Sequence, residues 1–274
     1  MNVLHTLILA VLQGVTEFLP ISSSGHLVLL QNVLGLNDVP IFYDLLLHLG
    51  TTIAIIIVYY KIIGEIIRDL FIWLFFKRKN GKETVYSKGN IKLFFYIILA
   101  TAVTGILGIL FKNNLESFFY KPKYIPLFLF ITGAVLLFTR FIARGEKEIE
   151  NVNIGYPVVI GFTQAFAILP GISRSGTTIA AGLFMGARRK FSGAFSFLLS
   201  IPSVFGASLY EFISAFRTST YTLDFGNVLV AFIVSMITGF VALKILINFL
   251  SKGKLYIFSI YCFTISILGL FLIK

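Results

Sequence analysis

Glu17, Ser23 and His26 lie close together in the stretch QGVTEFLPISSSGHLV that begins at Gln13. Ser23 and His26 are three positions apart at what reads as a helix start, near enough for a hydroxyl and an imidazole to cooperate. A serine beside a base is a standard nucleophile arrangement, and histidine is the commonest base. His26 is also able to attack phosphorus itself, with Ser23 orienting it, so both assignments stand at this point. Gln13 and Glu17 are one helical turn apart and share a face. A second polar stretch, PGISRSGTT, sets Arg174 between two serines. A guanidinium at membrane depth is costly unless it meets an anion, and its planar fork suits phosphate oxygens. The chemistry indicated is phosphoryl transfer. Neither GxxxxGK[ST] nor HExxH occurs, so ATP hydrolysis and zinc-protease chemistry have no support.

The two stretches align without gaps. Gln13 matches Gln164, Ile21 matches Ile172, Ser22 matches Ser173, Ser24 matches Ser175 and Gly25 matches Gly176. Short Gly/Pro-interrupted segments at corresponding positions of two halves point to broken helices around a midplane site. Ser22 to Ser24 and Ser173 to Ser175 are good N-cap residues, and Gly25 and Gly176 relieve backbone crowding. Two helix N-termini meeting from opposite faces make an anion site. With Arg174 they supply about +2, less about one for an ionised Glu17. A pyrophosphate is more negative than that. A divalent cation, Mg2+ or Ca2+, with Glu17 as its protein ligand is therefore expected, or else a head group only partly desolvated.

The elements that must position these residues are membrane helices. The chain has 274 residues, 57% hydrophobic and only 13% charged, about half the charged share of a soluble domain. Six apolar runs of helical-span length begin near Ile41, Ile91, Tyr124, Phe191, Phe225 and Leu255. The stretch after Lys61, IIGEIIRDLFIWLFF, is amphipathic and reads as an extension at the interface. Residues 3–35 and 154–186 are apolar but broken in the middle, each half too short to span. If both are re-entrant hairpins, three spans separate them and the halves are inverted. One integral membrane domain is expected over 1–274, with repeats over about 1–143 and 154–274. The loops at 77–92, 140–153, 188–190 and 251–254 hold most loop Lys and Arg, whereas the opposite face has Lys112, Lys121, Lys123, Arg217 and Lys274. That bias places the basic loops in the cytoplasm and both termini outside. It also accounts for the net charge of +11 without nucleic acid. The N-terminus lacks a basic n-region and a small-residue cleavage pattern, so no removable signal peptide is expected. Cys262 is the single cysteine, which excludes an intrachain disulfide.

The motifs QGVTEFLPISSSGH and PGISRSGTT, at this spacing in a wholly helical membrane chain, resemble the undecaprenyl pyrophosphate phosphatase family, which is linked to bacitracin resistance. The resemblance covers essentially the full length. It implies an all-α polytopic fold with inverted repeats and two re-entrant hairpins plus six spans. It implies removal of the terminal phosphate of a polyprenyl pyrophosphate at the outer face of a bacterial cytoplasmic membrane, regenerating the lipid carrier for peptidoglycan synthesis. By motif position, Glu17 is then the essential acid and Gln13 fills the Glu-or-Gln position one turn earlier. Ser23 and His26 become the catalytic hydroxyl and imidazole, and Arg174 the phosphate clamp. Ser22, Ser24, Ser173, Ser175 and Thr178 line the phosphate pocket. Some members have glutamate where this chain has Gln13, so a two-carboxylate metal site is in doubt. The partners implied are the polyprenyl pyrophosphate and the bilayer, and a homodimer is allowed but not dictated.

Blander readings exist for the same residues. Arg174 has a structural alternative as an ion pair with Glu17 or Glu211, His26 as a satisfied core histidine, and Ser23 as a plain N-cap. Asp44, His48 and Glu211 read first as polar contacts between helices, with a supporting duty at the site as the alternative. GLFMG at 182–186 reads as a close-packing GxxxG pattern. At the level of function the alternative is a lipid-phosphate transporter or flippase, because inverted repeats with broken helices are also transporter architecture. An ion channel is disfavoured, since no ring of like charges recurs along the spans.

Overall fold

The computed structural model describes residues 3–36, 41–76, 78–79, 82–83, 86–111, 118, 121–218 and 225–272. At 41–42, 78–79, 82–83, 210–218, 225 and 272 it describes the backbone alone. Apart from a short hairpin of two-residue strands at Arg78–Lys79 and Lys82–Glu83, these residues form helices and their connections. That is the expected outcome for runs this apolar, since a helix satisfies its own backbone in lipid. In chain order they are α1 (Val3–Phe18), α2 (Ser23–Val33), α3 (Ile41–Phe75), α4 (Lys88–Leu110), α5 (Ile125–Phe138), α6 (Gly155–Phe166), α7 (Arg174–Phe184), α8 (Arg189–Thr218), α9 (Phe225–Ser251) and α10 (Ile257–Leu272).

Among the described residues five helical segments are long and apolar enough to cross a membrane: Tyr43–Phe75, Lys88–Leu110, Pro122–Phe141, Arg189–Leu209 and Gly226–Ser251. The chain is a multi-pass membrane protein. The sixth expected run, from near Leu255, carries the helix α10. Its 16 described residues rise about 24 Å, and residues 273–274 lie outside the described residues. The expected interfacial extension is continuous with its span, because α3 runs 35 residues with one non-helical residue, Tyr59 (φ −104°, ψ 17°). That break sits just before Lys61, where the apolar run gives way to the amphipathic segment.

Both broken stretches are pairs of short helices, α1–α2 and α6–α7, joined by the two Ser-rich turns. The packing of the long helices comes in exchanged couples. Helix α1 packs on α9 as α6 packs on α4, and α3 packs on α9 as α8 packs on α4; α5 pairs with α10, and α3 with α8. Small residues allow the close approaches. A side chain at Gly14 would drive into Thr238 of α9, and one at Gly161 would meet Val103 Cβ of α4 at 2.9 Å. Gly182, in the GLFMG pattern, abuts Ser192 and the Tyr156 hydroxyl, as a packing glycine should. Gly186 does not follow that reading. It ends α7 with φ 81°, and the bonds Ala187 N–H to Gly182 O (3.0 Å) and Gly186 N–H to Leu183 O (2.9 Å) make it a helix-terminating glycine.

The largest apolar cluster joins both halves through Phe18, Ile21, Ile55, Leu136, Ile179, Phe197, Leu243 and Cys262. It lies directly behind the two turns, so the turns rest on packed side chains from both halves.

Candidate active site

The turn after α1 and the turn before α7 touch each other. The Ser22 hydroxyl caps α2 by accepting from Gly25 N–H (3.3 Å), and it also accepts from Gly171 N–H (3.0 Å) in the other turn. The Ser175 hydroxyl donates back to Phe18 O (3.0 Å). Ser173 caps α7 by accepting from Gly176 N–H (3.1 Å). From α5, Thr132 donates to Gly171 O (2.9 Å) and accepts from Ser173 N–H (3.0 Å). A Cβ at Gly25 would stand 2.9 Å from Gly171 N, and one at Gly176 would stand 3.1 Å from Pro20 Cβ. Each turn thus needs the other's glycine. Ser22 holds φ 70°, the one non-glycine positive φ among the described residues, and strain of this kind concentrates at functional turns.

Glu17 stands at the centre of the resulting polar cluster, with its side chain only 6% exposed. Its Oε1 takes Arg174 Nη2. Its Oε2 accepts from the Ser23 hydroxyl (2.7 Å) and from Gln13 Nε2 (3.0 Å). His48 of α3 brings Nδ1 to 3.2 Å from Glu17 Oε2 and 2.8 Å from Gln13 Nε2. The predicted Glu17, Ser23, Gln13 and Arg174 therefore meet. The ion pair weighed as the bland reading for Arg174 is present, and it lies in the same cluster as the serine. Two buried polar atoms remain without partners: Arg174 Nη1 and Gln13 Oε1. A guanidinium N–H held dry beside a serine is a donor in want of an acceptor, and an anion supplies one.

His26 is where the structure departs from the sequence reading. The Ser23–His26 pair does not form. The Nδ1 of His26 lies 2.8 Å from Ser22 O and its Nε2 lies 2.9 Å from the Tyr261 hydroxyl of α10, with the two rings stacked. The reason is local. His26 follows the cap by one turn, so its ring folds onto the Ser22 carbonyl, while Ser23, the first residue of α2, faces α1. Both ring nitrogens are taken, and the base beside Ser23 is Glu17.

Several expected pocket hydroxyls are likewise engaged elsewhere. Thr178 donates to Arg174 O (2.7 Å) and bonds the Ser196 hydroxyl (2.6 Å), and Ser22, Ser173 and Ser175 hold the turns as described. Buried hydroxyls must find partners, and these find backbone. Ser24, half-buried, keeps only a 3.5 Å contact with Ser22 Oγ. His48 is the residue the sequence reading undervalued. Its signal was a histidine inside an apolar span, but nothing in the sequence fixed which helix it faced. Asp44, one turn earlier, is met by Gln31 Nε2 at 3.2 and 3.4 Å, a contact between helices as read. The side chains of Glu211 and Arg217 lie outside the described residues, as do Lys77, Lys112 and Lys274.

Among the described residues no three His, Cys, Asp or Glu side chains gather as a metal site. Glu17 is the single carboxylate of the cluster and is already paired with Arg174. This donor set does not fit a resident divalent cation held by the protein alone.

A family model described as bacitracin resistance protein BacA matches residues 6–268. The chain belongs to this family. Relatives named undecaprenyl-diphosphatase agree in extent. One from Methanobrevibacter smithii is 37% identical, covering 98% of this chain and 96% of its own length. Another from Desulforapulum autotrophicum is 37% identical, covering 98% of each chain. A third, from Halothermothrix orenii, is 36% identical, covering 98% of this chain and 97% of its own. The BacA match spans both Ser-rich turns and every residue of the Glu17 cluster, so the site sits wholly inside the region shared with the family.

Proposed function

We propose that this chain is an undecaprenyl-diphosphate phosphatase, in line with the names of its relatives over essentially full length. The observation that carries the chemistry is the Ser23–Glu17–Arg174 constellation, with a hydroxyl 2.7 Å from a carboxylate and an unpartnered guanidinium nitrogen beside it. The terminal phosphate takes the free face of Arg174, displacing part of its grip on Glu17. Glu17 then accepts the Ser23 proton as Oγ attacks phosphorus, and the polyprenyl phosphate leaves. Once Glu17 has given up that proton, it takes one from water as the water attacks the phosphoserine, and returns it to Ser23 Oγ as inorganic phosphate leaves. Phosphoryl transfer rests mainly on positioning and charge compensation, and an arginine in this role is worth ~10³–10⁵ in rate. Mg2+ or Ca2+, were it to accompany the substrate, would supply charge compensation, and no step of this proposal depends on it.

The same proposal covers topology. The two halves, about 1–143 and 154–274, are read as inverted repeats with α1–α2 and α6–α7 as re-entrant hairpins, in a bacterial cytoplasmic membrane with the site open to the outer face. The exchanged helix pairings and the reciprocal Gly25 and Gly176 contacts support this reading, as does the clustering of basic residues in four loops.

Purified protein in detergent, given undecaprenyl diphosphate, should release inorganic phosphate with a single-turnover phosphoenzyme on Ser23. Movement of the lipid across vesicles with no phosphate release would favour the transporter reading instead. Cysteine introduced at Asn153 should react with impermeant reagents only from the cytoplasmic side, and at Lys123 only from outside.

A further inference from the structure

Hydrolysis of a diphosphate ester near neutral pH releases a proton. A fully ionised polyprenyl diphosphate carries three negative charges; with water it gives a phosphomonoester and hydrogen phosphate of two charges each, plus one H+. That proton arises at Ser23 or at the attacking water, and Glu17 receives it. Glu17 is 6% exposed and enclosed by Arg174, Ser23 and Gln13. Something must take the proton onward before the carboxylate can act again.

We propose that His48 carries this proton from Glu17 to the water at the pocket, a role that rests on the phosphatase reading above. Three observations support it. The first is distance: His48 Nδ1 lies 3.2 Å from Glu17 Oε2, the same oxygen that accepts the Ser23 hydroxyl. The second is exposure: the His48 side chain is 25% exposed against 6% for Glu17, so of the two groups it is the less enclosed. The third is tautomer. Gln13 Nε2 donates to both Glu17 Oε2 (3.0 Å) and His48 Nδ1 (2.8 Å), using both amide hydrogens. The flipped amide would set oxygen against the Glu17 carboxylate, so the assigned orientation is the one the network permits. In the neutral form that accepts the Gln13 N–H at Nδ1, the ring proton sits on Nε2.

A neutral imidazole with unprotonated Nδ1 3.2 Å from Glu17 Oε2 takes a proton there by exchanging the Gln13 N–H for the Glu17 O–H, and loses the other from Nε2. Its Nε2 meets no hydrogen-bond partner among the described residues. His26 provides the contrast, since both its nitrogens are taken, by Ser22 O and the Tyr261 hydroxyl. A histidine kept for structure is satisfied at both ends; His48 is bonded at Nδ1 alone among the described residues. In sequence the relay is Ser23 O–H to Glu17 Oε2, Glu17 O–H to His48 Nδ1, and His48 Nε2–H to water. One proton enters and one leaves. The charged groups facing His48 are Glu17 of α1, Asp44 of its own helix and Arg174 of α7. His48 touches neither substrate nor phosphorus in this scheme. It is a positioning and proton-carrying residue acting through Glu17.

The test uses the full-length protein in detergent and phosphate release from undecaprenyl diphosphate, with kcat and KM measured across the neutral pH range. His48→Ala and His48→Gln should each lower kcat by ~10²-fold with little change in KM. Both should lose the limb of the pH profile that tracks histidine titration. Free imidazole should restore part of the His48→Ala rate in proportion to its concentration. Wild-type kcat and pH profile in both variants would overturn the proposal. So would a loss that appears in KM and does not respond to imidazole, since a purely structural His48–Gln13 contact predicts that pattern. If the alanine variant does not fold, the glutamine variant, which retains an amide able to bond Gln13 but moves no proton, decides by kcat and pH profile. Absence of phosphate release by the wild type would instead sink the phosphatase reading, and this inference with it.

Discussion

Arg174 and Glu17, 157 positions apart in sequence, form a direct ion pair where the two Ser-rich turns meet. Each side chain belongs to a different half of the chain, so the pair exists only when both halves are folded together. It is also incomplete by design of its donors: Arg174 Nη1 remains buried without an acceptor. The pair holds the site ready and leaves one face of the guanidinium for phosphate.

Arg174→Ala should reduce phosphate release by ~10³-fold or more, and Arg174→Lys should recover little of it because a point charge lacks the planar fork. Steady-state phosphate release checks both. Activity within tenfold of wild type in the alanine variant would contradict the clamp role.

The pair also makes a stability prediction. Removing one partner of a buried ion pair leaves the other uncompensated, at about 3–5 kcal/mol. Glu17→Gln and Arg174→Gln should each lower the melting temperature in detergent, and the double variant should lie above both singles. Additive losses would mean that the two charges do not depend on each other.

Ser23 and His26 can be ranked. With the Ser23 hydroxyl 2.7 Å from Glu17 and His26 held by Ser22 O and Tyr261, Glu17→Gln should cost at least tenfold more in kcat than His26→Gln. The reverse order in a rapid-quench comparison would restore the imidazole as the base. Tyr261→Phe, which strips the partner from His26 Nε2, should destabilise by about 1–3 kcal/mol and leave most of kcat.

The contact between turns is sensitive to single atoms. Gly25→Ala sets a methyl 2.9 Å from Gly171 N, and neither turn has room to retreat. Ser22→Ala removes the acceptor for two N–H groups, Gly25 and Gly171. Both variants should unfold at lower temperature and lose activity together. Ser24→Ala, whose hydroxyl makes only the 3.5 Å contact, should leave the melting temperature close to wild type.

Much of this was legible in the sequence because it depends on local chemistry. Apolar runs of span length dictate helices, since lipid offers the backbone no other partner. Gly25, Gly176 and the serines before them dictate helix starts, and residues 22 and 173 are indeed the caps. Glu17, Ser23 and Arg174 stood out because polar side chains in such a chain need a reason to be there.

What the sequence left open were distances between helices. The three-residue spacing from Ser23 to His26 permitted a dyad, yet the first turn of α2 turns the two side chains to different neighbours, Glu17 and Tyr261. Tyr261, 235 positions away, is brought beside His26 only by the packing of α10. His48 joined the cluster because α1 and α3 share α9 as a packing surface, a relation between three helices that no spacing rule encodes. The role of Gly186 was decided by where α7 ends, which tertiary contacts set as much as propensity does. Sequence determined which groups had to be buried and that they needed partners; the tertiary structure decided which partners, because hydrogen-bond geometry resolves differences of an ångström that hydrophobic periodicity does not register.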